Sequence, residues 1–188
     1  PAQEDLSGQA AGVAIKSAMA QDIDVSSGDI WLQAGAASNG SSYGGPMYGG
    51  TVGIWSLGTQ TIRAANIKLF GGAAGHDNNA EIQSFGDQQI SLYGGSLQLT
   101  GGGGAGGFNN QARIQHGQWT AGVGSGTGNQ NIVVYSGGTI DLVGGSGTGT
   151  QGYYGSDCYA VLGDACRGGS NDARIENVER AVQFLPRD

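Results

Sequence analysis

The sequence predicts an all-β protein, a three-faced parallel β-solenoid with a right-handed path, and three observations predict it. The first is a short apolar–polar–apolar phrase that runs into glycines: NIKLFGGAA (66–74), SLQLTGGGG (96–104), TIDLVGGSG (139–147) and, loosely, DIWLQAGA (29–36). The second is the fixed order in which three kinds of short strand recur. The third is composition: 39 of 188 residues are glycine and only 12% are charged, which favours an ordered, glycine-rich, strand-rich chain over a disordered one.

Each predicted strand contains an apolar pair whose members are separated by one residue, the period-2 pattern of a half-buried strand. Strand one carries Val13/Ile15, Val52/Ile54, Ala80/Ile82, Ala112/Ile114 and Ala173/Ile175. Strand two carries Ile23/Val25, Ile62/Ala64, Ile90/Leu92 and Ile132/Val134. Strand three is the glycine-terminated phrase, with Ile30/Leu32, Ile67/Leu69, Leu97/Leu99 and Ile140/Leu142.

Taken in order, these strands predict coils at about 8–33, 50–70, 79–100, 111–143 and 172–186, all in one domain over 1–188. The fourth coil has the glycine-rich insert QWTAGVGSGTG (118–128) between its first two strands. A cysteine-containing insertion, 143–171, separates the fourth coil from the fifth. The segments of most variable length follow strand three, so we expect long glycine-rich loops at one corner.

A unit of roughly 30 residues with three short strands cannot bury its apolar face alone, but stacked units can. Stacking would pair each strand in parallel with its counterpart in the next coil, at about 4.8 Å per coil. Parallel crossovers favour a right-handed path. The competing architecture is an antiparallel β-sandwich, which would place turn pairs such as Asn-Gly between adjacent strands. Asn39-Gly40 instead falls within a long predicted loop.

Two blocks, NAEIQSFGDQQISLYGGSLQLTGGGG (79–104) and GNQNIVVYSGGTIDLVGGSG (128–147), resemble the repeats of secreted bacterial exoproteins of the filamentous haemagglutinin type. The resemblance extends as a repeat pattern over roughly residues 10–178. It implies a right-handed β-helix shaft, export through an outer-membrane partner, and an adhesive role at the bacterial cell surface. No binding residue follows from the resemblance.

Charge and hydropathy narrow the expected partners. The net charge of −7 disfavours nucleic acid and anionic membrane surfaces, which need a basic face. No run of 18 apolar residues is present, so no membrane-spanning helix is predicted. The chain begins at Pro1, which suggests a processed form or a segment of a longer protein. We expect it to be secreted or displayed on a bacterial surface. The expected partners are further copies of itself stacked end to end, flanking coils of a longer chain, or cell-surface glycans.

Catalytic chemistry is not indicated, and the function expected is structural and adhesive. Glycoside cleavage would need acids converging on one face. The outward positions of strand one, where Glu81 could neighbour Arg113, instead predict a solvated ladder. GGAAGHD (71–77) approaches a calcium-binding repeat but lacks its second Gly–Asp step, so neither metal nor cofactor is predicted. A polysaccharide-binding or polysaccharide-cleaving β-helix module is the alternative.

Cys158 and Cys166 lie within CYAVLGDAC, in the predicted insertion. Two thiols so placed favour a loop-closing disulfide and an oxidising compartment. Two free thiols and half of a metal site remain as other interpretations.

Aromatic and amide side chains are the remaining candidates. Tyr93 and Tyr135 follow strand two in consecutive coils and should stack, either as a stabilising ladder or as a contact surface. Tyr153 and Tyr154 fall in the cysteine-containing insertion and favour an interface. Four glutamines precede the inward isoleucine of strand two and predict a stacked amide ladder: Gln21, Gln60, Gln88 and Gln130.

Overall fold

The computed structural model describes residues 13–35, 51–73, 78–103, 110–120, 123–125, 128–135, 137–145, 173–177 and 183–184. This part of the chain is all-β and contains no helix, and therefore no helix able to cross a membrane. Its strands, in chain order, are β1 Val13–Ser17, β2 Gln21–Gln33, β3 Val52–Ser56, β4 Gln60–Phe70, β5 Ala80–Ser84, β6 Gln88–Leu92, β7 Ser96–Thr100, β8 Ala112–His116, β9 Gln118–Thr120, β10 Val123–Ser125, β11 Gln130–Val134, β12 Thr139–Val143, β13 Ala173–Asn177 and β14 Gln183–Phe184.

The first sheet contains every predicted strand one, in the order β1-β3-β5-β8-β13, and all its pairings are parallel. The register places identical positions opposite one another, so one column reads Ile15, Ile54, Ile82, Ile114 and Ile175. Because neighbouring strands come from segments about 30 residues or more apart, each pairing joins one repeat to the next.

The second sheet joins the predicted strands two and three, and it branches at β4. Strand β6 pairs in parallel with Gln60–Ala64, whereas β7 pairs in parallel with Ile67–Phe70. β11 and then β14 continue from β6, and β12 continues from β7. β2 pairs with β4 along both halves, with a register shift between Val25 and Asp29.

The continuity of β2 and β4 differs from the sequence-based expectation of separate second and third strands. In β4 only two residues lie between the inward Ala64 and the inward Ile67, so the chain passes from one half to the other without leaving extended conformation. In the next repeat the corresponding corner is Tyr93–Gly95, where Gly94 has a φ of +78° and interrupts the strand. The backbone conformation of the corner residues therefore decides whether strands two and three form one continuous strand.

The inward positions form a single apolar core between the sheets. Its fully buried members are the inward side chains of the central strands: Ile62, Ala64, Ile67, Leu69, Ala80, Ile82, Ile90, Leu92, Leu97, Leu99, Ala112 and Ile114. The same columns end in exposed side chains, with Val13 and Ile15 72% and 58% accessible at one end. Side chains of β1 are therefore exposed where the neighbouring strand ends, whereas Ile30 on the edge strand β2 stays buried.

The glycines that close the strand-three phrase are required by close backbone approach. A Cβ on Gly72 would collide with the carbonyl oxygen of Gly35 and with Asn78, and a Cβ on Gly102 would collide with the carbonyl oxygen of Gly72. Backbone hydrogen bonds run across the same region, from Gly72 N to Asn78 O (2.8 Å) and from Gly102 N to Asn110 O (2.7 Å). The recurrent glycines therefore allow successive repeats to approach at this corner.

The insert at 118–128 contains the one antiparallel pairing in the described residues, between β9 and β10. The sequence predicted only a glycine-rich loop here. Most of the cysteine-containing insertion, including Cys158, Cys166, Tyr153 and Tyr154, lies outside the described residues.

Candidate functional site

The predicted glutamines form a hydrogen-bonded row inside the protein, here called the glutamine ladder (Gln21, Gln60, Gln88 and Gln130). Parallel pairing of β2, β4, β6 and β11 places them opposite one another. Each Nε2 donates to the Oε1 of the preceding rung at 2.8 Å: Gln60 to Gln21, Gln88 to Gln60, and Gln130 to Gln88. All four side chains are buried, Gln21 the least at 9% exposure, and the hydrogen bonds between rungs replace hydrogen bonds to water.

The glutamine ladder has a direction, because every rung donates toward β2. At the β11 end the buried Oε1 of Gln130 accepts no hydrogen bond from the residues that the structure describes. At the β2 end Gln21 accepts from Gln60, and its own Nε2 donates to no residue within the described ranges. The two ends of the glutamine ladder are therefore chemically different: the β2 end presents the Nε2 donor of Gln21, and the β11 end presents the Oε1 acceptor of Gln130.

Tyr93 and Tyr135 lie beside each other on the outer surface. Their ring centroids are 4.9 Å apart and the rings are nearly parallel, with an interplanar angle of 7°. The backbone N–H of Tyr93 donates to Ala64 O and that of Tyr135 donates to Leu92 O, which continues the parallel ladder past the strand ends. Both side chains remain partly exposed. The geometry fits a cross-strand aromatic ladder whose two rings remain accessible to a partner.

The outer face of the first sheet is more buried than the predicted solvated ladder. Glu81 is only 5% exposed at its side chain, and its Oε2 lies 3.1 Å from Nη2 of Arg113 on the next strand. Gln115 is also buried and donates to the Gly117 carbonyl at 3.0 Å. The indole of Trp55 lies over Gly53, which has no side chain to displace it. The expected proximity of Glu81 and Arg113 is confirmed, whereas the expected solvation is wrong for Glu81 and Gln115, which are buried.

The carboxylate of Glu81 on this face is paired with a cation. In the register of the sheet Glu81 lies between Gly53 and Arg113, so its immediate partner is a cation and not a second carboxylate. The described residues contain no group of three His, Cys, Asp or Glu side chains that could hold a metal ion. Residues 74–77 of GGAAGHD lie outside them.

A second aromatic group, which the sequence analysis did not single out, lies on the outer side of the strand-three positions. The rings of Trp31 and Phe70 are 5.7 Å apart at 47°, and Lys68 Nζ lies 5.9 Å from the Trp31 ring centroid. Lys68 also lies 3.7 Å from the carboxylate of Asp29. The signal was present as outward residues of DIWLQ and NIKLF, which the parallel register places side by side.

Charged residues on β2 pair with β4. Arg63 Nη1 is 2.7 Å from the Asp22 carboxylate and 3.9 Å from that of Asp24. The pKa of Asp24 lies below its ordinary value, chiefly because the Ser26 backbone N–H donates to the carboxylate, with further contributions from the Ser26 hydroxyl and from Arg63. These groups are largely exposed to solvent, so their ion pairs contribute little to the stability of the fold.

Asparagines before strand one form a buried corner that the sequence analysis also missed. The backbone N–H of Asn78 donates to Asn110 Oδ1 at 2.9 Å, and that of Gln111 donates to Asn79 Oδ1 at 2.8 Å. The signal was the repetition of NNA (78–80) as NNQA (109–112). Side-chain amides here replace backbone partners where the chain turns.

No protein-family model matches this chain, and no curated protein or solved structure is significantly similar to it. Any account of what the protein does therefore depends on its own geometry.

Proposed function

We propose that the chain is a three-faced, right-handed parallel β-solenoid of four to five coils with a structural and adhesive role outside the cell. In this proposal it forms a shaft segment or a self-assembling subunit of a bacterial surface fibre of the filamentous haemagglutinin type. The mechanism is mechanical: parallel backbone hydrogen bonds and matched side-chain columns propagate along one axis, while outward loops and aromatic groups contact partners.

The observation that carries this proposal is that identical side chains occupy the same register position on successive strands. The isoleucine column and the glutamine ladder are both built this way. Such columns give every repeat the same upper and lower surface, which is the property a fibre requires. Among the outward acids of the described residues, Glu81 is paired with Arg113, and Asp22 and Asp24 lie beside Arg63.

Electron microscopy of the purified chain tests the assembly. Fibres should form, and oriented samples should diffract on the meridian at about 4.8 Å, the spacing of strands stacked along the axis. Isolated particles at all concentrations would contradict self-assembly. Strands running along the fibre axis would contradict the solenoid.

Polysaccharide binding is a second candidate, because exposed aromatic rings on flat sheet faces can stack on sugars. Trp31 is the most exposed of them, at 63%, with Lys68 and Asp29 beside it as hydrogen-bonding groups. Trp31→Ala should then remove binding to a glycan array while the circular dichroism spectrum stays unchanged, whereas Tyr93→Ala serves as the comparison on the other aromatic group. Equal glycan binding by the wild type and the Trp31 variant would exclude this site.

A further inference from the structure

Strand β12 is an open edge. Its inward residues Ile140 and Leu142 are 39% and 46% exposed, although their register neighbours Leu97 and Leu99 are fully buried. No strand in the described residues pairs with the other side of β12. Within the described residues, the apolar columns of strand three therefore end at β12, where their side chains are accessible.

The two neighbouring edges at this end are covered to different extents. β13 pairs with all five residues of β8, from Ala112 to His116. β14 pairs only with Asn131 and Ile132 of β11. The buried Oε1 of Gln130, on the same strand, has no donor in the described part of the chain. The surface formed by β8, β11 and β12, here called the terminal surface, is thus covered on one strand, half covered on the second and open on the third.

The opposite end of the stack offers the matching set of groups. β1 exposes Val13 and Ile15, and β2 presents Gln21, whose Nε2 has no acceptor in the described part of the chain. Farther along β2, Ile30 and Leu32 begin the strand-three columns. The register continues through the intervening strands, so it connects Ile15 to Ile114, Gln21 to Gln130 and Leu32 to Leu142.

We propose that β13 and β14 form a partial cap on the terminal surface, and that the same surface accepts β1 and β2 of a second copy of this chain. In the docked pair Ile15 would lie over Ile114, Gln21 would donate to Gln130, and Leu32 would cover Leu142. This inference rests on the proposed function. It adds the surfaces through which two copies make contact and a cap that limits their assembly. The occupant is a second copy because the β1–β2 end supplies the donor and apolar groups that the terminal surface lacks, in the register already used between repeats.

The cap can be released in the full-length chain by Ile175→Asp. Ile175 packs against the core beside Ile114, and a carboxylate there opposes docking of β13 because burying its charge is unfavourable. Sedimentation velocity should show half-association of this variant at a concentration at least tenfold below that of the wild type. Adding Ile15→Lys should abolish that association. Adding Leu57→Lys, which alters an equally exposed apolar side chain outside the β1 edge, should not.

The outcomes separate the cap from the assembly itself. A folded Ile175→Asp chain that stays monomeric, or one that associates equally well with Ile15→Lys, overturns the inference. If circular dichroism shows that Ile175→Asp does not fold, Ile175→Ala carries the same comparison. Wild-type fibres that Ile15→Lys abolishes and Ile175→Asp leaves unchanged would retain end-to-end assembly and reject the cap. Absence of association in every variant would reject both.

Discussion

Replacing Gln88 by leucine removes the central rung of the glutamine ladder while nearly preserving side-chain volume. Gln88 is fully buried, donates to Gln60 Oε1 and accepts from Gln130 Nε2, both at 2.8 Å. The substitution therefore leaves one acceptor and one donor without these partners. Each unsatisfied buried group costs about 1–3 kcal/mol, so after the gain from burying leucine we expect Gln88→Leu to lower the free energy of unfolding by about 2–4 kcal/mol.

Gln21→Leu is the matched control at the end of the glutamine ladder. It removes only the acceptor of Gln60 Nε2, which also approaches the carbonyl oxygens of Gln83 at 3.2 Å and Ile54 at 3.4 Å. The expected cost is below about 1 kcal/mol, because no buried group loses all its partners. The triple variant at Gln60, Gln88 and Gln130 should cost less than the sum of its single changes, since apolar groups then face one another.

Guanidinium chloride unfolding followed by circular dichroism measures these differences, with the denaturant slope checked for constancy between variants. Equal midpoints for Gln88→Leu and Gln21→Leu would refute the reasoning, because they would show that the central amides are replaceable without loss. Strict additivity in the triple variant would likewise show that the rungs do not depend on one another.

Three further predictions concern the core, the ion pairs and acid. Ile82→Ala should cost about 2–5 kcal/mol in denaturant unfolding, whereas Ile15→Ala, at an exposed end of the same column, should cost under about 1. Arg113→Met should lower the thermal midpoint, with a loss of about 2–3 kcal/mol, because it leaves the Glu81 carboxylate buried and uncompensated; Glu81→Gln in the same background should restore part of it. The lowered pKa of Asp24 adds to stability above the ordinary aspartate pKa, and this contribution is lost as pH falls through the lowered value. When the thermal midpoint is plotted against pH between about pH 2 and 6, Asp24→Asn should therefore show a smaller decrease at the acid end than the wild type.

The sequence predicted the strands and their neighbours because the period-2 apolar pairs and their repetition fix both. The pairings Ile54 to Ile82 and Gln60 to Gln88 follow directly from that alignment. Contacts between outward-facing side chains could not be predicted from the sequence in the same way. The burial of Glu81 beside a cation one strand away depends on side-chain packing and rotamers, which no periodicity encodes.

Local chain geometry explains the other differences. Whether strands two and three merge depends on the corner: β4 remains extended through it, whereas Gly94 breaks the later equivalent. The β9–β10 hairpin arises in an insert whose glycine content resembles that of the loops, so composition could not separate the two. The Trp31–Phe70 contact required the register to be known before outward residues of different repeats could be paired.

The glutamine ladder also bears on how the repeats find their register. Apolar columns alone would tolerate a slip of two residues, because isoleucine, leucine and alanine would still face inward. Such a slip would place the amide of Gln88 opposite Ile62 and leave buried donors and acceptors unmatched, at about 1–3 kcal/mol for each group. The repeated glutamine therefore disfavours the two-residue slip in register that the hydrophobic pattern alone would permit. Because the penalty acts equally between repeats of one chain and between copies, the feature that aligns the fold would also align a fibre.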